Sequence, residues 1–152
     1  MSGREIGNRN AIRRLLQEND IFYHLAAIIE VKFNSGQSEE IEMFLTNVLG
    51  TISIIKSAEQ INSDIRFVFV SSRRASVVES DPEADAWIEN VIAEIEGIER
   101  RCHIFTGPDN SGKTMRAISE EILNKYSVPK DRSLYDLSKL LGERYLLRID
   151  TL

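Results

Sequence analysis

The chain has 152 residues, 42% of them hydrophobic, which is enough for one globular domain with a sizeable core. A formal net charge of −5 argues against a surface built to coat nucleic acid, and the single cysteine, Cys102, excludes a disulfide framework or a zinc site made of cysteines. A polar N-terminus and the lack of a long apolar run predict a soluble cytoplasmic protein with no membrane segment.

The first half of the chain alternates between helix and strand patterns. Residues 5–17 place isoleucines and leucines in a charged setting, which predicts an amphipathic helix. Residues 21–33 are strongly apolar and predict one long strand or a pair of strands. After a turn at residues 34–37, a broad apolar stripe over residues 39–60 predicts a long helix buried on one side. Residues 65–70 are rich in β-branched and aromatic residues and predict the next strand.

The second half continues this alternation. Residues 71–83 are polar and predict an exposed loop, and a helix is predicted over residues 84–99. Short apolar runs predict strands at residues 102–105 and 145–149, with two helices between them. Those helices are predicted by apolar residues at helical spacing: Met115, Ile118, Ile122 and Leu123 in the first, and Leu134, Leu137, Leu140 and Leu141 in the second.

Strands separated by helices of this length indicate βαβ units. The predicted fold is α/β: a single three-layer domain over residues 1–152, with helices flanking a mainly parallel sheet of about four to five strands. A sub-boundary is predicted near residues 101–106. Ligands of such sheets bind beyond the carboxyl ends of the strands, which predicts a site at one rim that carries Lys32, Phe33, Ser71–Arg74, Gly107–Thr114 and Asp150.

A complete G-x-x-x-x-G-K-[ST] phosphate-binding pattern occupies residues 107–114. In the predicted strand–loop–helix context, the backbone N–H groups of the loop and the helix N-terminus converge on phosphate oxygens. Lys113 would reach the terminal phosphates, and the Thr114 hydroxyl would bind Mg²⁺. The predicted cofactor is ATP or GTP with Mg, and the candidate residues are Gly107, Asn110, Ser111, Gly112, Lys113 and Thr114.

This loop resembles the one found in phosphate-loop NTPases, including STAND-type NTPases, in which an effector domain precedes the ATPase. The resemblance implies a nucleotide-binding protein, with Asp150 as an acidic metal ligand at the end of the strand predicted over residues 145–149. Because no second carboxylate or water-positioning residue accompanies Asp150, binding is predicted in preference to hydrolysis. The alternative is an ordinary turn in which Ser111 caps the following helix.

A second pattern is the E-x-K of Glu30 and Lys32 on the apolar segment, with Asp20 upstream. Alternation along a strand puts Glu30 and Lys32 on one face. The pattern resembles the core of the PD-(D/E)xK nuclease superfamily. That resemblance implies that Asp20 and Glu30 bind Mg, which would be the sole cofactor, and that Lys32 orients the attacking water. Nucleic acid is a partner only under this hypothesis.

A third hypothesis is a non-catalytic interaction module. The apolar stripe of the helix over residues 39–60, or the last helix, would then dock a partner protein or a second copy in a homo-oligomer. Whether the chain is an enzyme stays open at this point.

Overall fold

The structure is a computed structural model that describes residues 9–25, 27–29, 37–78, 80–105 and 112–150. The elements in chain order are helix α1 (Arg9–Glu18), strand β1 (Ile21–His24), helix α2 (Gln37–Ile61), strand β2 (Arg66–Phe69), and helices α3 (Ala75–Val78), α4 (Pro82–Cys102), α5 (Gly112–Lys125) and α6 (Leu134–Asp150). The described part of the chain is therefore mostly helical.

Strands β1 and β2 form a parallel two-stranded sheet, and α2 connects them. The register pairs Ile21 with Arg66 and His24 with Phe69, so the two strands end at the same rim. This parallel strand–helix–strand unit confirms the α/β class. The predicted sheet of four to five strands in three layers is not found among the described residues.

Two strand predictions are wrong. Cys102 is the last residue of α4, and His103 ends that helix in the left-handed region, at φ 49°. Ile104 and Phe105 then form a buried turn. Residues 145–149 continue α6 as a helix. A short apolar run reports burial, and by itself it cannot separate a strand from a helix end that packs into the core.

The apolar segment after α1 also differs from its prediction. Only Ile21–His24 is a strand, residues 27–29 are irregular, and residues 30–33 lie outside the described part. In the predicted loop over residues 71–83, Ala75–Val78 forms α3, which packs against α6. Two small apolar side chains of α3 are buried, and this burial stabilises a helix in a segment that is otherwise polar.

Helix α2 confirms the prediction for residues 39–60 and supplies much of the core. Its ends are α-helical, and Leu45–Leu49 forms a π-helical turn within it. The helix is long and apolar enough to cross a membrane by composition alone, but 72% of its most apolar stretch is buried inside the protein. Packing against α5 and α6 therefore accounts for its apolar surface.

Candidate active site

Polar groups from three elements meet where β1 and β2 end. The Val70 N–H donates to the His24 carbonyl at 3.2 Å, which ties the two strand ends together. Lys139 of α6 reaches the same place, where its Nζ donates to the Val70 carbonyl at 2.9 Å. Because ligands of parallel sheets bind beyond the carboxyl ends of the strands, this rim is the candidate site.

Lys139 is the most unusual residue of the rim because only 4% of it is exposed. Its Nζ lies 4.9 Å from the centroid of the Phe69 ring and 6.0 Å from that of Tyr135, one helical turn earlier on α6. Burial lowers the pKa of Lys139. Almost fully buried lysines are rare, which marks Lys139 as a functional candidate.

Ser71 follows Val70 directly and adds a hydroxyl to the rim. Its Oγ is buried and makes no hydrogen bond within the described part of the chain. Leaving a buried polar group unpaired destabilises a fold by about 1–3 kcal/mol, so such groups call for an explanation. A ligand oxygen at the rim would satisfy this hydroxyl.

Asn47, in the π-helical turn of α2, holds the chain that follows β1. Its Oδ1 accepts from the Ile28 N–H at 2.8 Å, and its Nδ2 donates to the Ile28 carbonyl at 3.0 Å. The same Nδ2 lies 3.3 Å from the Ser138 Oγ on α6. The amide thus joins the segment after β1 to the two helices that border the site.

Replacing Asn47 with leucine is expected to lower the free energy of unfolding by about 1–3 kcal/mol, because the Ile28 N–H and carbonyl lose their partner. Urea unfolding followed by circular dichroism measures this change. Asn19→Ala is the matched control, since the Asn19 amide is exposed and bonds only the Leu15 carbonyl, at 2.8 Å. That control is expected to stay within about 0.5 kcal/mol of wild type. Equal losses in both variants would contradict the clamping role of Asn47.

Next to Tyr135, α6 buries a carboxylate. Asp136 is 5% exposed, and its Oδ2 lies 3.5 Å from the Nε of Arg74, whose side chain is largely exposed. Its Oδ1 makes no hydrogen bond within the described residues. This pair ties the segment after β2 to the helix that carries Tyr135 and Lys139.

His24 lies behind the rim and is neutral near pH 7. Its Nε2 is 2.7 Å from the Thr51 Oγ1, and its ring packs against Phe67 and Phe69. Burial, with a smaller contribution from the charge of Lys139, lowers the pKa of His24 to about 4. The histidine therefore adds no charge to the site at neutral pH.

The residues of the predicted nuclease site do not meet at this rim. Asp20 is exposed and precedes β1, at the end of the strand opposite the rim, and its carbonyl accepts from the Arg66 N–H at 2.9 Å. Glu30 and Lys32 lie outside the described residues. Within the described ranges, no group of three or more His, Cys, Asp or Glu side chains could hold a metal ion.

The predicted phosphate loop is not flanked by the strands that the sequence predicted. Residues 107–111, with Asn110 and Ser111, lie outside the described part, and Gly112 and Lys113 begin α5 without a described side chain at Lys113. Thr114 is exposed on the first turn of α5. The strand that should lead into the loop is the end of α4 and a turn, and Asp150 ends a helix where a strand was expected.

A parallel strand–helix–strand unit with polar groups at its carboxyl rim defines an α/β protein whose candidate site lies where ligands of such sheets bind. Residues 8–150 match the family model NAD_binding_4, described as male sterility protein. The chain therefore belongs to this family, a Rossmann-like NAD(P)-binding domain. No curated protein and no solved structure gives a significant match.

Family membership corrects the predicted functions and cofactors. It indicates an NAD(P)-binding domain, so the phosphate-loop NTPase and nuclease functions are wrong, as are ATP or GTP with Mg and Mg alone as cofactors. A nucleotide as the ligand class agrees with an NAD(P)-binding family, while protein and nucleic-acid partners have no support. The phosphate-loop prediction depended on a strand over residues 102–105, where the structure has the end of α4 and a turn.

No local sequence pattern assigned a role to the residues that meet at the rim. Tyr135 and Lys139 lie in the helix that is predicted from its leucines, and Asn47 lies in the helix predicted over residues 39–60. A signal was present, since polar residues interrupt the leucines of α6 and two serines directly follow the apolar β2. Of the segments predicted to share one rim, Ser71–Arg74 follows the carboxyl end of β2, whereas Asp150 ends α6. Lys32, Phe33 and residues 107–111 lie outside the described residues.

Proposed function

We propose that the chain forms the reacting end of an NAD(P)-dependent oxidoreductase site that interconverts a carbonyl and an alcohol. One observation carries the proposal: the buried Lys139 ammonium donates to the Val70 carbonyl and lies 6.0 Å from the centroid of the Tyr135 ring. The Ser71 hydroxyl, which has no partner within the described residues, belongs to the residue that follows Val70. Phenol, ammonium and hydroxyl are the groups needed to exchange a proton with a substrate oxygen and to stabilise its charge. Membership of an NAD(P)-binding family supports this reading.

The described residues fit one end of the dinucleotide. The Ser71 hydroxyl and the Lys139 ammonium can donate to hydroxyl and carbonyl oxygens at the nicotinamide end. The pyrophosphate end of such ligands normally lies on a glycine-rich G-x-G-x-x-G turn, and the sequence contains no such pattern. We therefore expect most of the recognition by the described residues to fall on the nicotinamide and its ribose.

The proposed chemistry assigns one task to each side chain. The bound dinucleotide supplies or accepts a hydride. The Tyr135 hydroxyl donates a proton to the substrate oxygen during reduction and takes it back during oxidation. The Lys139 ammonium stabilises the phenolate that forms, and the Ser71 Oγ–H donates a hydrogen bond to the substrate oxygen.

Saturation-transfer NMR tests the binding half of this proposal. With NAD⁺, the nicotinamide protons are expected to receive more saturation than the adenine protons, and nicotinamide mononucleotide is expected to compete with NAD⁺. ATP is the matched control because the discarded phosphate-loop hypothesis requires it to bind. Displacement of NAD⁺ by ATP but not by the mononucleotide, or no transfer from the protein to NAD⁺, would overturn the proposal.

We also propose that the chain forms one domain of a cytoplasmic protein. The main core cluster supports this organisation, because it joins buried residues from α2 through α6. The burial of α2 within the fold supports the proposed location.

A further inference from the structure

We infer that Phe69 is a positioning residue whose ring holds the Lys139 ammonium at the rim, and that Gly142 keeps the ring in place. The consequence for catalysis rests on the proposed function. The placement of the ammonium stands on the geometry alone.

Two consecutive residues of the β2 segment hold the ammonium. The ring of Phe69 lies beneath it, 4.9 Å from centroid to Nζ, and the carbonyl of Val70 accepts its hydrogen bond at 2.9 Å. A cation within about 6 Å of an aromatic centroid is attracted to the face of the ring, and the attraction grows when water is excluded. With Lys139 only 4% exposed, these two contacts hold the charge at the carboxyl end of β2, 6.0 Å from the centroid of the Tyr135 ring.

Gly142 leaves room for the ring. A Cβ at this position would lie 2.6 Å from the Phe69 Cζ and 3.0 Å from its Cε1, closer than ordinary contacts allow. Gly142 lies inside α6, where glycine is about 1 kcal/mol less favourable than alanine. Close approach of the ring therefore explains the glycine, and no unusual backbone angle is involved.

A second side chain also packs against the Phe69 ring. His24 packs against Phe69 with centroids 5.9 Å apart and ring planes at 32°. The titratable and charged groups around Lys139 are His24 from β1, Tyr135 and Asp136 from its own helix, and Arg74, which pairs with Asp136. His24 is already neutral at the pH where a lysine loses its proton. The Phe69 ring has no titratable group, so its attraction for the charged form of Lys139 is the same at every pH.

The test follows the Lys139 side chain by NMR in the whole chain without nucleotide. The ¹³Cε shift of ¹³C-lysine-labelled protein is titrated, with the Lys139 signal assigned through Lys139→Arg. Phe69→Leu is expected to lower the midpoint of the Lys139 titration by roughly half a pH unit, because the charged form loses the ring. Gly142→Ala is expected to lower it in the same direction by displacing the ring.

Phe67→Leu is the matched control. Phe67 lies on the same strand and also contacts His24, with centroids 6.2 Å apart. Its ring stacks on Phe22 with centroids 5.6 Å apart. Within the described residues, the aromatic rings near the Lys139 ammonium are those of Phe69 and Tyr135, so the midpoint of Lys139 should not move. Equal midpoints in Phe69→Leu and Phe67→Leu would overturn the inference. Should Phe69→Leu fail to fold, a wild-type midpoint in Gly142→Ala would overturn it equally.

Turnover separates this inference from the proposed function. In an active enzyme, Phe69→Leu is expected to shift the pH profile of kcat while leaving KM for the carbonyl substrate within about twofold. A shifted Lys139 midpoint in a protein that shows no NAD(P)-dependent turnover would support the placement of the ammonium and overturn the oxidoreductase proposal.

Discussion

Replacing Tyr135 with phenylalanine is expected to lower kcat/KM for NAD(P)H-dependent reduction of an aldehyde by about 10²–10⁴-fold, the usual contribution of a general acid. The substitution removes the hydroxyl and keeps the ring that lies 6.0 Å from the Lys139 ammonium, so the packing of α6 should persist. Decanal and 4-nitrobenzaldehyde are suitable probes of an aliphatic and an aromatic carbonyl. Loss of NAD(P)H absorbance at 340 nm follows the reaction.

Tyr126→Phe is the control for this prediction. The Tyr126 hydroxyl is a hydrogen-bonding group that lies after α5, 3.3 Å from the Glu94 carboxylate. Its removal is expected to change kcat/KM by less than about threefold, because it makes no contact with the rim residues. Comparable rates in Tyr135→Phe and wild type, with folding intact, would remove Tyr135 from the proposed chemistry.

Lowering the pH from 7 to 5 is expected to cost about 2 kcal/mol of stability through His24. The unfolded chain binds a proton at His24 near pH 6.5, whereas the folded protein resists protonation until about pH 4. Between these values the unfolded state binds more protons, so stability is greatest above pH 6.5 and falls as the pH drops towards 4. Urea unfolding across this range measures the slope.

His24→Gln should remove most of that slope, because glutamine can still bond the Thr51 hydroxyl and does not titrate. The variant is compared with His103→Asn, which alters the other histidine. His103 is exposed and ends α4 in the left-handed region, a conformation that asparagine tolerates. An unchanged slope in His24→Gln would show that other groups dominate the acid sensitivity.

The sequence by itself determined the strand β2 and the helices other than α3 and the second half of α6. Helical periodicity correctly predicted α2, α4, α5 and the first turns of α6, because the spacing of apolar residues along a helix is a local property. The alternation of strands and helices indicated an α/β protein, and a nucleotide was the predicted ligand class. These features depend on neighbours within a few positions along the chain, and one sequence contains that information.

Only the tertiary structure decided what the short apolar runs become and where the site lies. The runs at residues 102–105 and 145–149 are a helix end with a turn and the continuation of α6, since the packing of each run selects its conformation. Lys139 meets Val70 across 69 positions of sequence, and Asn47 meets Ser138 across 91. Contacts over such separations leave no local periodicity in the sequence. The phosphate-loop motif is contiguous and could be recognised from the sequence, whereas the rim residues are brought together only by folding.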